Sequence, residues 1–460
     1  MKKLRFFLAM AAGKLSMFLM KLLGRNATYL PGKIAIKLCP DFLGQLTPPK
    51  TVIAITGTNG KTTTSNLLAA ILRENGYRVT NNSLGSNIQA GVATTLLADA
   101  TFTGKPTRDI AVLEVDERSS LRIYPQLKPD YLVCNNLMRD SIRRNAHTSF
   151  IRYIMDQAIP ADTKLILNAD DLIAAGLAPQ NSHRVYFGLD VEKPEKLVIP
   201  AVRDLVYCPN CGGELVPEYI RYNHIGRFRC KDCGLASPAP DYLVTQLDRE
   251  AQTFTLRHHN QEDRFQLLND NIVNIYNFCG ICALLFEMGL SSEQVAKGFA
   301  GIAIIKSRYD HVEAGDLKVT IQSAKGQNPI ACSQAFRYVA QCPGSNKAVF
   351  MLIAEHIGET DTNSESVSWL YDADYFYLAD PSIRQVIICG PRCLDQKLRA
   401  MLAGVPEENI VLWPDLQGKA DLVDTENCKD IYILCDVYLE KEAEAVKNGL
   451  LEKAREGVAQ

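Results

Sequence analysis

Apolar and polar positions change period several times along this chain, and each change marks a new element. Leu4, Leu8, Leu15, Phe18, Leu19 and Leu22 recur at about helical spacing, with Lys14, Lys21 and Arg25 available for the opposite face. That pattern predicts an amphipathic helix, either lying in a membrane interface or packed on its own domain or a partner. It resembles a signal peptide in opening on basic residues, but Lys14 and Lys21 interrupt it. The uncharged run from Phe6 to Gly13 is far short of the roughly 18 to 20 residues a membrane span needs. Next, "TPPKTVIAITGTNGKTTTSNLLAAILRENGYRVTNN" reads as strand, glycine-rich loop, helix and strand, a βαβ unit. Short apolar runs at "DIAVLEVDE", "DYLVCNN" and "TKLILNADD" extend it to a mainly parallel sheet with flanking helices. "YLVTQLDREAQTFTLRHH" alternates as a hairpin, and "NIVNIYNFCGICALLFEMGLSSEQVAKGF" reads as a helix pair. A second α/β unit begins near Gly301, with strands at "KAVFMLIAE", "RQVIICG", "NIVLWP" and "DIYILCD" and a charged final helix. The expected division is an N-terminal helical segment 1–45, an α/β domain 46–300 with an insertion at 205–236, and a C-terminal α/β domain 301–460.

Composition narrows the function classes. A chain of 460 residues exceeds one ordinary core, and 47% hydrophobic with 22% charged residues is a globular balance. A net charge of -2 gives no whole-chain attraction to nucleic acid, which is not expected as a partner. Most of the 14 cysteines stand singly in apolar runs, which suits reduced core thiols and a cytoplasmic location.

Two segments carry chemistry. In "AITGTNGKTTTSN" a strand runs into Gly57, Thr58, Asn59, Gly60, Lys61, Thr62 and Thr63 and then a helix. Glycines let backbone N–H groups turn toward phosphate oxygens, and the helix N-terminus adds its positive dipole end. Lys61 supplies a mobile charge for terminal phosphates, and the Thr62 hydroxyl suits a Mg²⁺ shell. The generic phosphate loop has four residues between its first glycine and the Gly-Lys pair, whereas Gly57 and Gly60 enclose two. The second segment is the insertion, where Cys208 and Cys211 precede Cys230 and Cys233 with eighteen residues between the pairs. This is the spacing of a closed Cys₄ zinc site, structural because four thiolates leave no open position. Arg221, Arg227, Arg229 and Lys231 surround it, offset by Glu214, Glu218 and Asp232. Cys279 and Cys282 lie in an apolar helix without a second pair and read as core.

The short loop "TGTNGKTTT" resembles that of the Mur ligases and folylpolyglutamate synthases, which join an amine to a carboxylate using ATP. Further positions follow in the family's order. "LEVDE" places Glu114 where the family has a Mg²⁺-linked glutamate, "LNADD" holds Asn168, Asp170 and Asp171, "NIVNIYN" supplies Asn274 and Asn277, and "KSRYD" supplies Arg308. The zinc insertion, with "VSWLYDADYFYL" (Trp369, Asp372, Asp374) and "ICGPRCLDQKLRAMLAGV" (Gly390, Arg392, Asp395, Arg399), is similar to the MurT subgroup of synthetase subunits. The resemblance implies a Mur-ligase-like central domain with an inserted Cys₄ ribbon and a Rossmann-like C-terminal domain. It implies ATP, Mg²⁺ and structural Zn²⁺, with ATP on Gly57 to Thr63, Asn274 and Arg308, and Mg²⁺ on Thr62 and Glu114. It further implies amidation of the D-glutamate α-carboxylate of lipid II through an acyl phosphate, with Lys61 and Glu114 at the reaction. The ammonia would come from a GatD-type glutamine amidotransferase in a heterodimer, peripheral at the inner membrane face. That family lends the glutaminase an aspartate from an Asn-Asp-Asn triplet, where this chain has Ala354, Glu355 and His356. Glu355 keeps the carboxylate one methylene further out. The alternative is a ligase of the same superfamily that adds an amino acid to a carboxylate without a glutaminase.

Overall fold

The computed structural model describes residues 2–83, 86–139, 147–197, 199–200, 202–302, 309–324, 328–353, 368–436 and 438–458. Two compact units emerge. The first comprises 1–138, 147–198 and 204–305; the second comprises 139–146, 199–203 and 306–460.

The first unit is built on a nine-stranded sheet. Its strands are β1 (Thr51–Thr56), β2 (Val79–Asn81), β3 (Ile110–Glu114), β4 (Tyr131–Cys134), β5 (Lys164–Asn168) and β6 (Arg184–Leu189), with β9 (Tyr242–Asp248), β10 (Thr253–His258) and β11 (Gln261–Gln266). The ribbon strands β7 (Leu215–Tyr222) and β8 (Ile225–Cys230) form a separate antiparallel hairpin. The large sheet runs β11-β10-β9-β6-β5-β4-β1-β3-β2, parallel except for the β9–β10–β11 meander. Parallel strands with both faces covered should be apolar throughout rather than alternating, and β1, β3, β4 and β5 are buried along nearly their whole length. Each fully buried Leu or Ile there contributes about 1.5–3 kcal/mol. The strand order reverses beside β1, which lies between β4 and β3. A crevice at the carboxyl ends of such strands is where an open α/β sheet binds its ligand.

The helix Lys2–Leu22 packs on this unit through Phe6, Ala9, Met10 and Gly13. Phe6 stacks on Phe42 with ring centroids 5.5 Å apart. Cys279 and Cys282, in the helix Ile272–Glu287, are fully buried against the sheet, as a core reading expects.

The second unit has a six-stranded sheet of β12 (Tyr309–Ala314), β13 (Leu317–Ala324), β14 (Lys347–Leu352), β15 (Ile383–Cys389), β16 (Ile410–Trp413) and β17 (Asp430–Asp436), in the order β12-β13-β17-β14-β15-β16. Only the β12–β13 pair is antiparallel. The helices Pro329–Gln341, Cys393–Leu402 and Glu440–Val458 accompany it. The residues of the segments around Trp369 and Arg392 act as internal struts. Arg399 donates to the Leu370 and Ala373 carbonyls at 3.1 and 2.9 Å and lies over the Tyr375 ring. Asp372 pairs with Arg139, and Arg392 lies 3.6 Å from Asp395.

Asp374 accepts from the Val202 amide at 3.2 Å. Burial pushes its carboxyl up to about 6, against the opposing pull of that amide and of Arg399, Arg139 and Arg337. A folded-state pKa above the unfolded one means that the folded chain holds the proton longer, so this group erodes stability as pH rises from about 4 to about 6. Asp374→Asn is therefore expected to flatten that part of the stability profile, seen as a melting-temperature difference from the parent that grows between those pH values and then levels.

Candidate active site

The site grows from the carboxyl end of β1. Gly57 and Gly60 both take positive φ, 126° and 84°, which non-glycine residues rarely adopt. A Cβ at Gly60 would also overlap the side-chain oxygen of Asn277, so glycine is needed for space as well as for torsion. The loop is pinned from β4's following segment. Asn136 accepts from the Thr58 amide through its carbonyl and from the Asn59 amide through its side chain, both at 2.9 Å. The Thr58 hydroxyl donates to the Met138 carbonyl at 2.9 Å. The helix Lys61–Glu74 starts directly after this turn, and the positive end of its dipole is where an anion would be favoured.

Thr62, in the first turn of the helix Lys61–Glu74, meets Glu114 at the end of β3. β1 and β3 run in parallel register, pairing Ile55 with Glu114, so the glutamate ends level with the loop. The Thr62 hydroxyl donates to the Glu114 carboxylate at 2.7 Å, and Asn87 donates to the other carboxylate oxygen at 2.9 Å. Asn82 fixes the Glu114 backbone with two hydrogen bonds of 2.8 and 2.9 Å. Hard oxygen donors this close suit a small divalent cation such as Mg²⁺.

Lys61 folds back on its own loop, donating to the Gly57 carbonyl and to Glu117 at 3.0 Å. Glu117, only 3% exposed, also accepts from the Gly57 amide at 3.2 Å. Sequence reasoning missed Glu117, whose one signal was its place three residues after Glu114 in "LEVDERSS". Removing one partner of such a pair leaves the other charge buried, so Glu117→Ala is expected to lower unfolding free energy by about 3 kcal/mol in a denaturant titration.

Asn274 and Asn277 sit on the helix Ile272–Glu287. Asn277 donates to Asn274 at 3.3 Å and accepts from Asn135 at 3.1 Å, and Asn135 donates to Thr64 at 2.8 Å, so the asparagine pair reaches the loop's helix. Arg308 and Glu355, with Ala354 and His356, lie outside the described residues.

Asp170 and Asp171, in "LNADD", are engaged by the inserted hairpin. Asp170 binds Arg221 at 2.9 Å, Tyr276 at 2.8 Å and Arg227 at 3.5 Å. Asp171 lies 3.1 Å from His224 at the hairpin tip and accepts from the Leu137, Ile173 and Ala174 amides. Arg221 and Arg227 thus turn inward to a buried carboxylate, whereas Arg229 stays exposed. At the other end of the hairpin, Cys208, Cys211, Cys230 and Cys233 place their sulfurs within 4.8 Å of one another. The Cys208–Cys233 and Cys211–Cys230 separations are both 3.6 Å. Tetrahedral zinc with bonds of about 2.3 Å sets sulfurs about 3.8 Å apart, so the four thiols fit that ion. Gly212 and Gly234, at φ 75° and 73°, close each knuckle, and amides of Asn210, Gly213 and Asp232 point at sulfurs from 3.4 Å.

Comparison with known proteins shows the family and the fold. The Mur ligase middle domain profile matches residues 55–200, and the MurT ligase C-terminal profile matches residues 326–438. A pseudomurein peptide ligase type C from Methanothermus fervidus shares the fold with a TM-score of 0.65 at 19% identity, over 89% of this chain and 81% of that one. The MurT subunit of the glutamine-hydrolyzing lipid II isoglutaminyl synthase of Staphylococcus aureus strain COL is 30% identical over 89% of this chain and 90% of its own. That of Streptococcus pneumoniae R6 is 31% identical over 94% of both chains. With a phosphate loop, a Thr62–Glu114 pair and a matched C-terminal module in one polypeptide, the chain belongs to the MurT family of Mur-type ligases.

Proposed function

We propose that this chain is the synthetase subunit of a glutamine-dependent lipid II amidating enzyme, converting the D-glutamate α-carboxylate to D-isoglutamine. The observation that carries it is the convergence of Lys61, Thr62 and Glu114 at the end of β1 and β3 in a chain similar to MurT subunits over nearly all its length.

A carboxylate is a poor electrophile. One of its oxygens attacks the γ-phosphorus of ATP, ADP leaves, and the resulting acyl phosphate has a good leaving group. Ammonia then adds to the carbonyl, inorganic phosphate departs, a proton is lost, and the amide remains. Phosphoryl transfer of this kind is accelerated chiefly by positioning and by offsetting charge. The turn Gly57–Thr63 would hold the phosphates, with Asn274 and Arg308 toward the nucleotide. Lys61 would leave Glu117 to reach the transferred group, and Thr62 and Glu114 would hold Mg²⁺. When bound, Mg²⁺ supplies positive charge to the phosphate oxygens. The cysteine quartet would hold zinc at a distance from this chemistry, since a four-thiolate shell has no place for substrate.

The partner is a GatD-type glutaminase that hydrolyses glutamine to ammonia. We assign Glu355 as the carboxylate that orients the partner's catalytic histidine. Glu355→Gln is then expected to remove glutamine-driven amidation while leaving ammonium-driven amidation by the same heterodimer intact. Equal loss on both nitrogen sources would reject that assignment. No helix among the described residues is long and apolar enough to cross a membrane. We place the chain at the cytoplasmic face, where it would meet its lipid-linked substrate peripherally.

Hydroxylamine tests the acyl phosphate. Replacing ammonia with it should yield a hydroxamate on lipid II that requires ATP and is lost in Glu114→Gln. Hydroxamate formed without ATP, or none with it, would reject this mechanism.

A further inference from the structure

A surface helix of a globular protein turns its apolar stripe inward. The helix Lys2–Leu22 does the reverse. Its inward face is the narrow set Phe6, Ala9, Met10 and Gly13, while Leu4, Phe7, Leu15, Phe18, Leu19 and Leu22 point outward, each between 48% and 68% exposed. At about 100° per residue these six fall on one side, opposite the buried set. Leu23, Leu30 and Leu38 add exposed apolar groups just beyond it. A continuous apolar ridge of this size marks an interaction surface rather than scattered exposure.

The ridge is held in place by the fold. A Cβ at Gly13 would overlap the Leu97 side chain, and one at Gly32, in the following helix Leu30–Leu38, would overlap the Ala90 carbonyl, so Gly32 lets two helix backbones approach closely. Lys14 donates to the Leu97 carbonyl at 3.1 Å, tying the helix to Gln89–Ala98.

Charge identifies the occupant. Residues 1–40 contain eight Lys and Arg and no Asp or Glu, in a chain of net charge -2. Lys3 and Lys21, both exposed and 18 positions apart, line one flank of the ridge. An apolar ridge bordered by long cations fits an anionic bilayer surface, where aliphatic groups enter the acyl boundary and ammonium groups meet lipid phosphates.

We propose that the outward face of Lys2–Leu22 is a docking surface for anionic phospholipid membrane. The biological purpose rests on the reading of lipid II as substrate, because it would bring the phosphate loop to a lipid-linked peptide; the surface itself does not depend on that reading.

The test is flotation of the full chain with vesicles of phosphatidylcholine and phosphatidylglycerol, against vesicles of phosphatidylcholine alone, with no lipid II present. The chain should float with the anionic vesicles at least about tenfold more than with neutral ones, and release as salt rises from about 0.05 M to about 0.5 M. The triple variant Phe7→Ser, Phe18→Ser, Leu22→Ser should lose flotation by about tenfold or more while keeping its melting temperature, since all three side chains are exposed. Failure of the parent to float at low salt would overturn the proposal. So would flotation by the triple variant equal to the parent's, or a parent dimer that the triple variant dissolves, which would assign the ridge to a second copy. Because amidation is not the readout, failure here and failure of the ligase reading are separate results.

Discussion

Replacing Lys61 with methionine is expected to lower the rate of ATP-dependent amidation roughly a thousandfold, about 4 kcal/mol of transition-state stabilisation. Methionine keeps most of the aliphatic stem and removes the ammonium group alone. In the folded chain that group already lies at the loop, held between the Gly57 carbonyl and Glu117. A phosphate would draw the ammonium group from these two partners, and the residue already stands at the first position of the helix. The measurement is steady-state production of ADP and amide, with circular dichroism to show that the variant folds. A folded variant within about tenfold of the parent rate would mean that the loop binds nucleotide without using Lys61 in the chemistry.

Stripping zinc, or replacing Cys208 and Cys230 with serine, is expected to cost several kcal/mol of stability and to weaken nucleotide binding by about tenfold or more. Structural zinc contributes about 10–16 kcal/mol of apparent binding free energy in isolated fingers, and part of that would hold this hairpin closed. The path to the loop is covalent and hydrogen-bonded throughout. The hairpin places His224 and Arg221 on Asp171 and Asp170, Asp171 binds the Leu137 amide, and the adjoining Asn136 holds the amides of Thr58 and Asn59. Loosening the ribbon thus frees two buried carboxylates beside the segment that shapes the phosphate turn. Metal analysis should give one zinc per chain, and chelation should lower both the melting temperature and ATP affinity. A chain that carries no zinc and binds ATP equally well after thiol replacement would contradict both parts.

Strands whose apolar run is continuous were easily read. β1, β3, β4 and β5 are such runs, and each precedes a polar break at the sheet's carboxyl edge. β6 and the β12–β13 hairpin were not read, because "RVYFGL" and "YDHVEAGDLKVTIQ" mix polar and apolar positions and lack a flanking signature. The phosphate turn and the cysteine quartet were legible for a different reason: backbone torsion and metal geometry fix residue type at fixed spacing over a few positions. Glu117 was not, since a buried carboxylate is defined by a partner 56 positions away. Nor was the pairing of "LNADD" with the inserted hairpin. Asp170 and Arg221 are 51 positions apart, and in sequence the arginine stands among charges of both signs around the cysteines, with nothing to single out its partner. Pairings of that kind depend on topology, which local spacing does not encode.

The central claim is tested most directly by incubating the purified chain with lipid II, ATP, Mg²⁺ and ammonium, and following the muropeptide by mass spectrometry. The account predicts that one carboxyl hydroxyl is exchanged for an amino group, with one ADP formed per amide and the modification confined to the D-glutamate α-carboxylate. Unchanged lipid II, or a mass increase matching an added amino acid when amino acids are supplied, would contradict it and return the chain to the amino-acid-adding ligases of the same superfamily.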